Sequence, residues 1–342
     1  MKYLGIDYVY GGTSIGIFDS SKKKFILKKF NLVNKTLGYL YYWWYKRSPN
    51  RICGYLIKLY VCNNLIKLQR TTKDHKVDVV VISSKSGLKP FTGVINHIKN
   101  MFKDKKVIHS DHFWGHINSV KYHKMFKYPA LVVDSSARHS IIAYLPSDKK
   151  IEIVEQSEVS YNYEKVGLGI ILINFWAKEL NENIFWPGQP TENKKDVYKL
   201  YAERGERGNV VIDMKKEIAK SKELLCESVF LDYFPKKMEN IKYKYKSVES
   251  YKNDWVATQQ QLLRDVFEVL KKKISKTKII KTCFVSGGIS RNPAFLNSKE
   301  WLLTPNIMAG DDGAGCFMAY LGYHIEERGL VINHDKWKDY NQ

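Results

Sequence analysis

The stretch Tyr3-Leu4-Gly5-Ile6-Asp7-Tyr8-Val9-Tyr10-Gly11-Gly12-Thr13-Ser14-Ile15-Gly16-Ile17-Phe18 decides the fold class. Apolar runs at 3–6 and 15–18 flank a Gly11-Gly12-Thr13-Ser14 tip, the pattern of a β-hairpin with a polar turn. The same pattern returns at 130–144, where Ala130 to Asp134 and Ser140 to Tyr144 are separated by the polar Ser135 to His139. Two strand–turn–strand units predict two related lobes, though the units share little identity. Val77 to Ile82 is a short β-branched run, as expected of a buried strand. Pro90 to Phe102, with Val94, Ile95, Ile98 and Phe102 at helical spacing, predicts a helix. Trp255 to Lys273 predicts another, with Leu262, Leu263, Val266, Phe267 and Leu270 on one face. Cys283-Phe284-Val285 reads as a strand entering Ser286-Gly287-Gly288, and Gly310 to Gly322 as a turn that becomes a helix. Strands alternating with helices predict an α/β protein.

At 342 residues, 44% hydrophobic and 27% charged, the chain has room for a large two-lobed fold with a substantial core. That composition excludes a disulfide-stapled miniprotein and a disordered chain. The 56 Lys and Arg exceed the 35 Asp and Glu by 21, a basic surface that favours polyanions such as tRNA, DNA, nucleotides or acidic membrane. Lysine-rich codon usage gives the same excess, and base-reading proteins lean on Arg, which Lys far outnumbers here. The widely spaced Cys53, Cys62, Cys226, Cys283 and Cys316 contain no Cys-x-x-Cys pair, so neither a zinc ribbon nor a disulfide framework is indicated. A reducing cytoplasm fits them. No signal peptide is visible, and the most apolar stretch, Leu37 to Tyr45, is far short of the roughly 20 residues that span a bilayer. The expectation is a soluble cytoplasmic protein with no membrane partner.

Lysines run together at Lys22 to Lys24 with Lys28 and Lys29, at Lys236 to Lys246, and at Lys271 to Lys281. The middle run interleaves Lys242, Lys244 and Lys246 with Tyr243 and Tyr245. Such a pattern can stack bases and neutralise phosphates, or it can be a solvated β-edge guarded by lysine. The cluster from Tyr39 to Tyr45, with Trp43 and Trp44, reads as packing surface.

The sharpest chemical signal is Asp111-His112-Phe113-Trp114-Gly115-His116. Imidazoles four apart on a helix project from one face and can share a metal ion. Nine histidines in 342 residues make that spacing common by chance, so the pair alone is weak. Asp134 at a strand end and Asp311 in Gly310-Asp311-Asp312-Gly313 can complete a His₂/carboxylate₂ set, ligation that suits Fe, Mn or Zn. Gly11-Gly12-Thr13-Ser14 and Ser286-Gly287-Gly288-Ile289-Ser290 offer backbone N–H groups and close approach to phosphate or nucleotide. Neither matches a Walker or Rossmann fingerprint, and each alone reads equally as a tight turn.

Taken in order, these motifs resemble the carbamoyltransferase branch of the actin/Hsp70/sugar-kinase (ASKHA) superfamily. That branch holds the tRNA threonylcarbamoyl-adenosine transferases and the NodU/CmcH-type O-carbamoyltransferases. Leu4-Gly5-Ile6 through Asp19 is similar to the first phosphate hairpin, and His112 to His116 followed by Ser119 to the metal histidine helix. Ala130 to Asp134 is similar to the second phosphate strand, and Ala177-Lys178-Glu179-Leu180 with Trp186-Pro187-Gly188-Gln189-Pro190 to a stretch of the tRNA enzymes. Phe284 to Asn292 resembles the adenosine strand and turn, and Gly310-Asp311-Asp312-Gly313-Ala314 the final metal-and-phosphate motif. Ser135, Ser136 and Ala137 stand where the family has glycines, Arg138 is added, Tyr10 replaces a His or Cys, and Gly11 replaces an Asp.

The resemblance implies a two-lobed actin/Hsp70-like α/β fold with duplicated RNase H-like lobes. Residues 1–126 would form the first lobe and 127–342 the second, with the final helix free to pack back on the first. It implies a metal- and ATP- or carbamoyl-adenylate-dependent carbamoyl or threonylcarbamoyl transfer to a hydroxyl or amine of a nucleic acid or nucleotide. His112, His116, Asp134 and Asp311 would hold a divalent transition ion, iron among the candidates. Gly11, Gly12, Thr13, Ser14, Ser135, Ser136, Gly287, Gly288, Asn292, Asp312 and Gly313 would hold the nucleotide, with or without Mg. His139 and Tyr10 are the candidate bases; His139 reads equally as a structural turn residue. A partner protein would supply activated carbamoyl. The alternatives are a small-molecule kinase of the same superfamily or a catalytically degenerate ATP-binding scaffold.

Overall fold

The computed structural model describes residues 1–9, 12–30, 66–70, 72–84, 98–135, 140–157, 159–161, 164–166, 168, 210–295, 298–308 and 313–332. The chain forms two compact units: Met1–Phe126 with Ser147–Ile151 and Thr304–Gln342, and Lys127–Pro146 with Glu152–Leu303. After passing from the first unit to the second between 126 and 127, the chain thus changes unit three more times. The expected second lobe gives up its 147–151 turn and its last segment to the first unit.

In the first unit, β1 (Lys2–Val9), β2 (Gly12–Asp19), β3 (Lys24–Phe30), β4 (Val79–Ser84) and β5 (Lys106–Ser110) form a sheet of order β3-β2-β1-β4-β5. The β1–β2 hairpin is antiparallel with Leu4 opposite Ile17 and Ile6 opposite Ile15; β4 and β5 run parallel to β1. Alternation gives the sheet two faces. Leu4, Ile6, Ile15, Ile17, Val80 and Ile82 pack with Leu68 and Ile98 on one. The other face carries Gly5, Gly16 and Val81 under helix α5 (Ala314–Glu327), which packs across β1, β2 and β4 and against α1 (His112–Ser119).

Glycine is required where α5 crosses the hairpin. A Cβ on Gly5 would lie 2.0 Å from the Gly315 carbonyl oxygen, and one on Gly315 would lie 2.4 Å from the Ile15 backbone. The helix backbone therefore rests directly on the strand backbone.

In the second unit, β6 (Ala130–Ser135), β7 (Ser140–Ser147), β8 (Lys150–Ser157), β11 (Thr282–Gly287) and β12 (Trp301–Leu303) form a sheet of order β12-β11-β6-β7-β8. The pair β9 (Val159–Tyr161) and β10 (Glu164–Val166) stands apart. β6 and β7 are antiparallel, while β6, β11 and β12 are parallel. Renumbered from β6, this is the order of the first sheet, with the same antiparallel hairpin and the same two parallel neighbours. The duplication hinted at by two hairpins is a duplication of whole sheets.

The helices α2 (Val210–Lys220), α3 (Phe234–Ile241) and α4 (Val248–Ser275) complete the second unit. The Leu262, Leu263, Val266, Phe267 and Leu270 stripe packs with Leu131, Val133, Cys283 and Val285, one apolar core between helix and sheet. α4 starts seven residues before the expected Trp255, because Ser247 caps it by accepting from Ser250 N–H at 3.1 Å. The lysine run is helical through Lys244 rather than a β-edge, with Tyr245 and Lys246 in the connection to α4: Phe234 and Met238, one turn apart, are buried and hold α3 to the core. Of the helix expected at 90–102, residues 98–101 are helical with Ile98 buried, and 90–97 lie outside the described residues. The aromatic stretch 39–45 and the stretch 177–190 also lie outside them.

Candidate functional site

The histidine helix begins at once. Asp111 caps it by accepting from Phe113 N–H at 3.0 Å, and every residue of α1 is buried. The four-residue spacing turns His112 and His116 to one side, where their Nε2 atoms lie 2.7 Å apart. Phe317 of α5 walls both rings, with centroid separations of 5.0 and 4.5 Å. Gly115 permits that approach, since a Cβ there would lie 2.3 Å from the Phe317 ring.

His112 Nδ1 bonds to Asp7 Oδ2 on β1. With Nδ1 donating to the carboxylate, the lone pair of His112 sits on Nε2, facing His116. Two convergent imidazole nitrogens backed by a carboxylate either share a proton or jointly bind a cation at about 2.0–2.1 Å from each. Asp7 belongs to the site although sequence reading passed over it. Its signal was only position, a carboxylate ending the first apolar run.

The strand register extends the polar site. Asp7 lies opposite Ser14 on β2 and Ser83 on β4, and Ser83 opposite Ser110 on β5. All four are buried, on the face covered by α5. Ser14 Oγ accepts from Gly315 N–H at 2.8 Å, fixing the start of α5 to the hairpin. Ser83 and Ser110 have no hydrogen-bond partner among the described residues. The row ends parallel strands at their carboxyl side, where α/β sheets receive ligands.

The second unit repeats the arrangement. Asp134 lies opposite Ser286 on β11, and Ser286 Oγ donates to Asp134 Oδ2. Gly287 follows with φ +69°, a left-handed backbone suited to glycine. A Cβ at Gly287 would meet the Ser135 carbonyl oxygen at 2.9 Å and both Asp134 carboxylate oxygens at 3.0 Å. On that side Gly287 therefore faces the Asp134–Ser135 strand. Gly288 is exposed, and a Cβ there would meet only the Ser135 oxygen, at 3.6 Å. Asn292 ends the turn, its Oδ1 accepting from Ala294 N–H at 2.9 Å, and Ser290 Oγ donates to the Gly287 carbonyl at 2.7 Å.

Of the expected four-ligand metal set, two members are brought together within one unit. His112 and His116 converge in the first unit. Asp134 belongs to the second unit and is engaged by Ser286, and Asp311 lies outside the described residues. Among the described residues no group of three or more His, Cys, Asp or Glu is arranged to hold an ion. The reason in the first unit is that Asp7 takes His112 Nδ1 and so backs a donor instead of adding one.

Of the expected nucleotide ligands, Gly12, Thr13 and Ser14 form the start of β2, and Gly313 precedes α5 with its Cα packed on Met308. Ser135 is turned to Ser140, hydroxyl to hydroxyl at 2.9 Å. Tyr10, Gly11, Ser136, His139 and Asp312 lie outside the described residues. Among those described, no helix is long and apolar enough to cross a membrane.

No protein-family model matches the sequence, and no curated protein does. Solved structures do. HypF from T. kodakarensis shares 11% identity, with all of this chain aligned to 49% of that one at a TM-score of 0.52. Component A of the (R)-2-hydroxyglutaryl-CoA dehydratase of Acidaminococcus fermentans shares 12%, over 96% of this chain and 99% of that one, at 0.50. At such identities the likeness speaks of fold alone. With two sheets of the same order in its two units, this chain has the two-lobed α/β fold of the actin/Hsp70/sugar-kinase superfamily.

Proposed function

We propose that the protein is a nucleotide-dependent, metal-assisted group transferase, and that the group is carbamoyl or threonylcarbamoyl. The observation that carries this reading is the convergence of His112 and His116 Nε2 at 2.7 Å, backed by Asp7. A kinase of this fold that relies on nucleotide-borne Mg²⁺ has no use for such a pair. The two Nε2 atoms would hold a divalent transition ion, with further donors such as Asp134 and Asp311 proposed from the motif order. A bound ion would supply Lewis-acid polarisation of phosphate or carbonyl oxygen.

The chain's own residues have separate tasks. Asp7 fixes the tautomer and direction of His112. Backbone N–H groups around Gly12 and Gly288 approach the phosphates and the nucleoside. In the transfer, the acceptor's oxygen or nitrogen bonds to the carbamoyl carbon, and the bond from that carbon to the AMP phosphate oxygen breaks. AMP leaves with the electron pair, and the acceptor's proton passes to a base, for which His139 and Tyr10 are the candidates.

A second reading is the small-molecule kinase or the degenerate nucleotide-binding scaffold. The pairing of Ser135 with Ser140 favours it, because a hydroxyl engaged inside the hairpin stands where the family has a phosphate-facing glycine. Ser140 Oγ also accepts from Leu168 N–H at 3.0 Å, which ties the hairpin further into the protein.

Product mass separates the readings. The protein is incubated with carbamoyl phosphate, ATP, a carbamoyl-adenylate-forming enzyme and candidate nucleotide or nucleic-acid acceptors. A carbamoyl increment that His112→Gln abolishes supports transfer. A phosphate increment supports the kinase, and intact nucleotide binding with no product supports the scaffold.

A further inference from the structure

The structure separates two lysine runs that look alike in sequence. At Lys271 to Lys281 four of the six lysines have partners within the protein. Lys271 pairs with Glu300 at 3.3 Å, Lys272 with Glu268 at 2.6 Å, and Lys278 with Glu152 at 2.8 Å while covering the Tyr144 ring. Lys273 donates to the Ser221 carbonyl. At Lys242 to Lys246 the situation is reversed. Lys242, Lys244 and Lys246 are exposed and have no carboxylate partner among the described residues.

Tyr243 stands between them, 79% exposed, with Lys244 Nζ 5.9 Å from its ring centroid. Its neighbour Tyr245 does the opposite job. It donates its hydroxyl to Asp254 at 3.0 Å and packs edge-on against Tyr251, fixing the corner between α3 and α4. The corner is therefore fixed beneath and open outside: an aromatic face in water, flanked by three ammonium groups that face no carboxylate among the described residues, with Lys242 Nζ 5.4 Å from the centroid of the Tyr251 ring. Lys22, Lys23 and Lys24 are exposed as well, but the aromatic beside them, Phe25, packs against Phe18 and Tyr122.

We propose that the Lys242–Lys246 corner is a binding surface for single-stranded nucleic acid. Lysines neutralise backbone phosphates, and Tyr243 offers a stacking platform for one base. Without arginine the surface holds the strand with little regard to sequence. A duplex hides the base faces that Tyr243 would meet, so single strands are preferred. The proposal goes beyond the group-transfer reading and stands or falls separately, because it is tested by binding alone. The run at 271–281 is excluded from the surface: it lies at the far end of the 28-residue α4, roughly 40 Å away at 1.5 Å per residue.

The test is fluorescence anisotropy of labelled oligo-dT and oligo-U against salt, with the full chain. Lys242→Gln/Lys244→Gln/Lys246→Gln should lower the slope of log affinity on log salt by about 2, at about 0.7 per phosphate for single strands. A matched triple, Lys271→Gln/Lys272→Gln/Lys278→Gln, removes the same three charges and should leave the slope unchanged. Tyr243→Ala should weaken binding from about fivefold to about a hundredfold with the slope unaltered. Equal slopes in the two triples would overturn the proposal, since only net charge would then matter. Tyr243→Ala without effect, or equal binding of duplex or of phosphatidylserine vesicles, would overturn it as a mere polyanion surface. Melting temperatures confirm that the variants are folded, and Tyr243→Phe should bind as the parent does.

Discussion

Replacing Asp7 by Asn asks whether the histidine pair is a prepared site. Asn is nearly the same size, and its Oδ1 can still accept from His112 Nδ1–H, so the geometry survives while the charge goes. Asp7 is fully buried, and solvent does not screen its bond to His112. Loss of a carboxylate behind a ligating imidazole costs tenfold to a hundredfold in metal affinity, or about 1.4 to 2.8 kcal/mol. Full burial places the expected loss near the upper end. Asp7→Ala, which leaves the imidazole N–H without this acceptor, should weaken binding further and also destabilise the fold by about 1–3 kcal/mol. The assay is titration with cobalt(II) followed by its visible absorption, with chelator competition for zinc(II), on variants shown by circular dichroism to be folded. Parent affinity in both variants would refute the positioning role of Asp7.

Three further outcomes follow from the same geometry. Gly5→Ala should drive α5 off the hairpin, because its Cβ would fall 2.0 Å from the Gly315 oxygen; denaturant unfolding should show a loss of at least the ~1–3 kcal/mol typical of overpacking. Gly288→Ala should leave stability within about 0.5 kcal/mol of the parent, whereas Gly287→Ala should cost more, from its positive φ and its contact with Asp134. If calorimetry shows nucleotide affinity unchanged in Gly288→Val, the adenosine site lies elsewhere. Glu227, fully buried against Ser157, has its carboxyl raised from 4.5 to about 7 by burial, with Glu223 and Glu155 adding to it. The folded protein then holds a proton that the unfolded chain has released. Stability should fall as pH rises from about 4.5 to about 7, by about 3 kcal/mol from this group. Glu227→Gln should flatten that decline, and an unchanged profile in the variant would contradict it.

What sequence could and could not show divides along chain distance. The hairpins at 3–18 and 130–144 and the α4 stripe are local patterns, and their periodicity reads directly. The equivalence of the two sheets is not local, since Leu4-Gly5-Ile6-Asp7 and Leu131-Val132-Val133-Asp134 share a pattern and few identities. Only the common strand order, with Asp7 opposite Ser83 and Asp134 opposite Ser286, makes them counterparts. Asp7 escaped notice because its partner His112 is 105 positions away. What lies beside a glycine's Cα likewise depends on the neighbouring strand, which for Gly287 supplies Asp134 and Ser135. The charges of the lysine run obscure its helical character, which rests on the buried Phe234 and Met238 one helical turn apart.

Element analysis of protein purified without chelator, beside a His112→Gln/His116→Gln double variant, tests the central claim most directly. The account predicts about one transition ion per chain in the parent and none in the folded variant. A parent that carries no metal and takes up none of Fe, Mn or Zn, or a variant that holds as much metal as the parent, would contradict it.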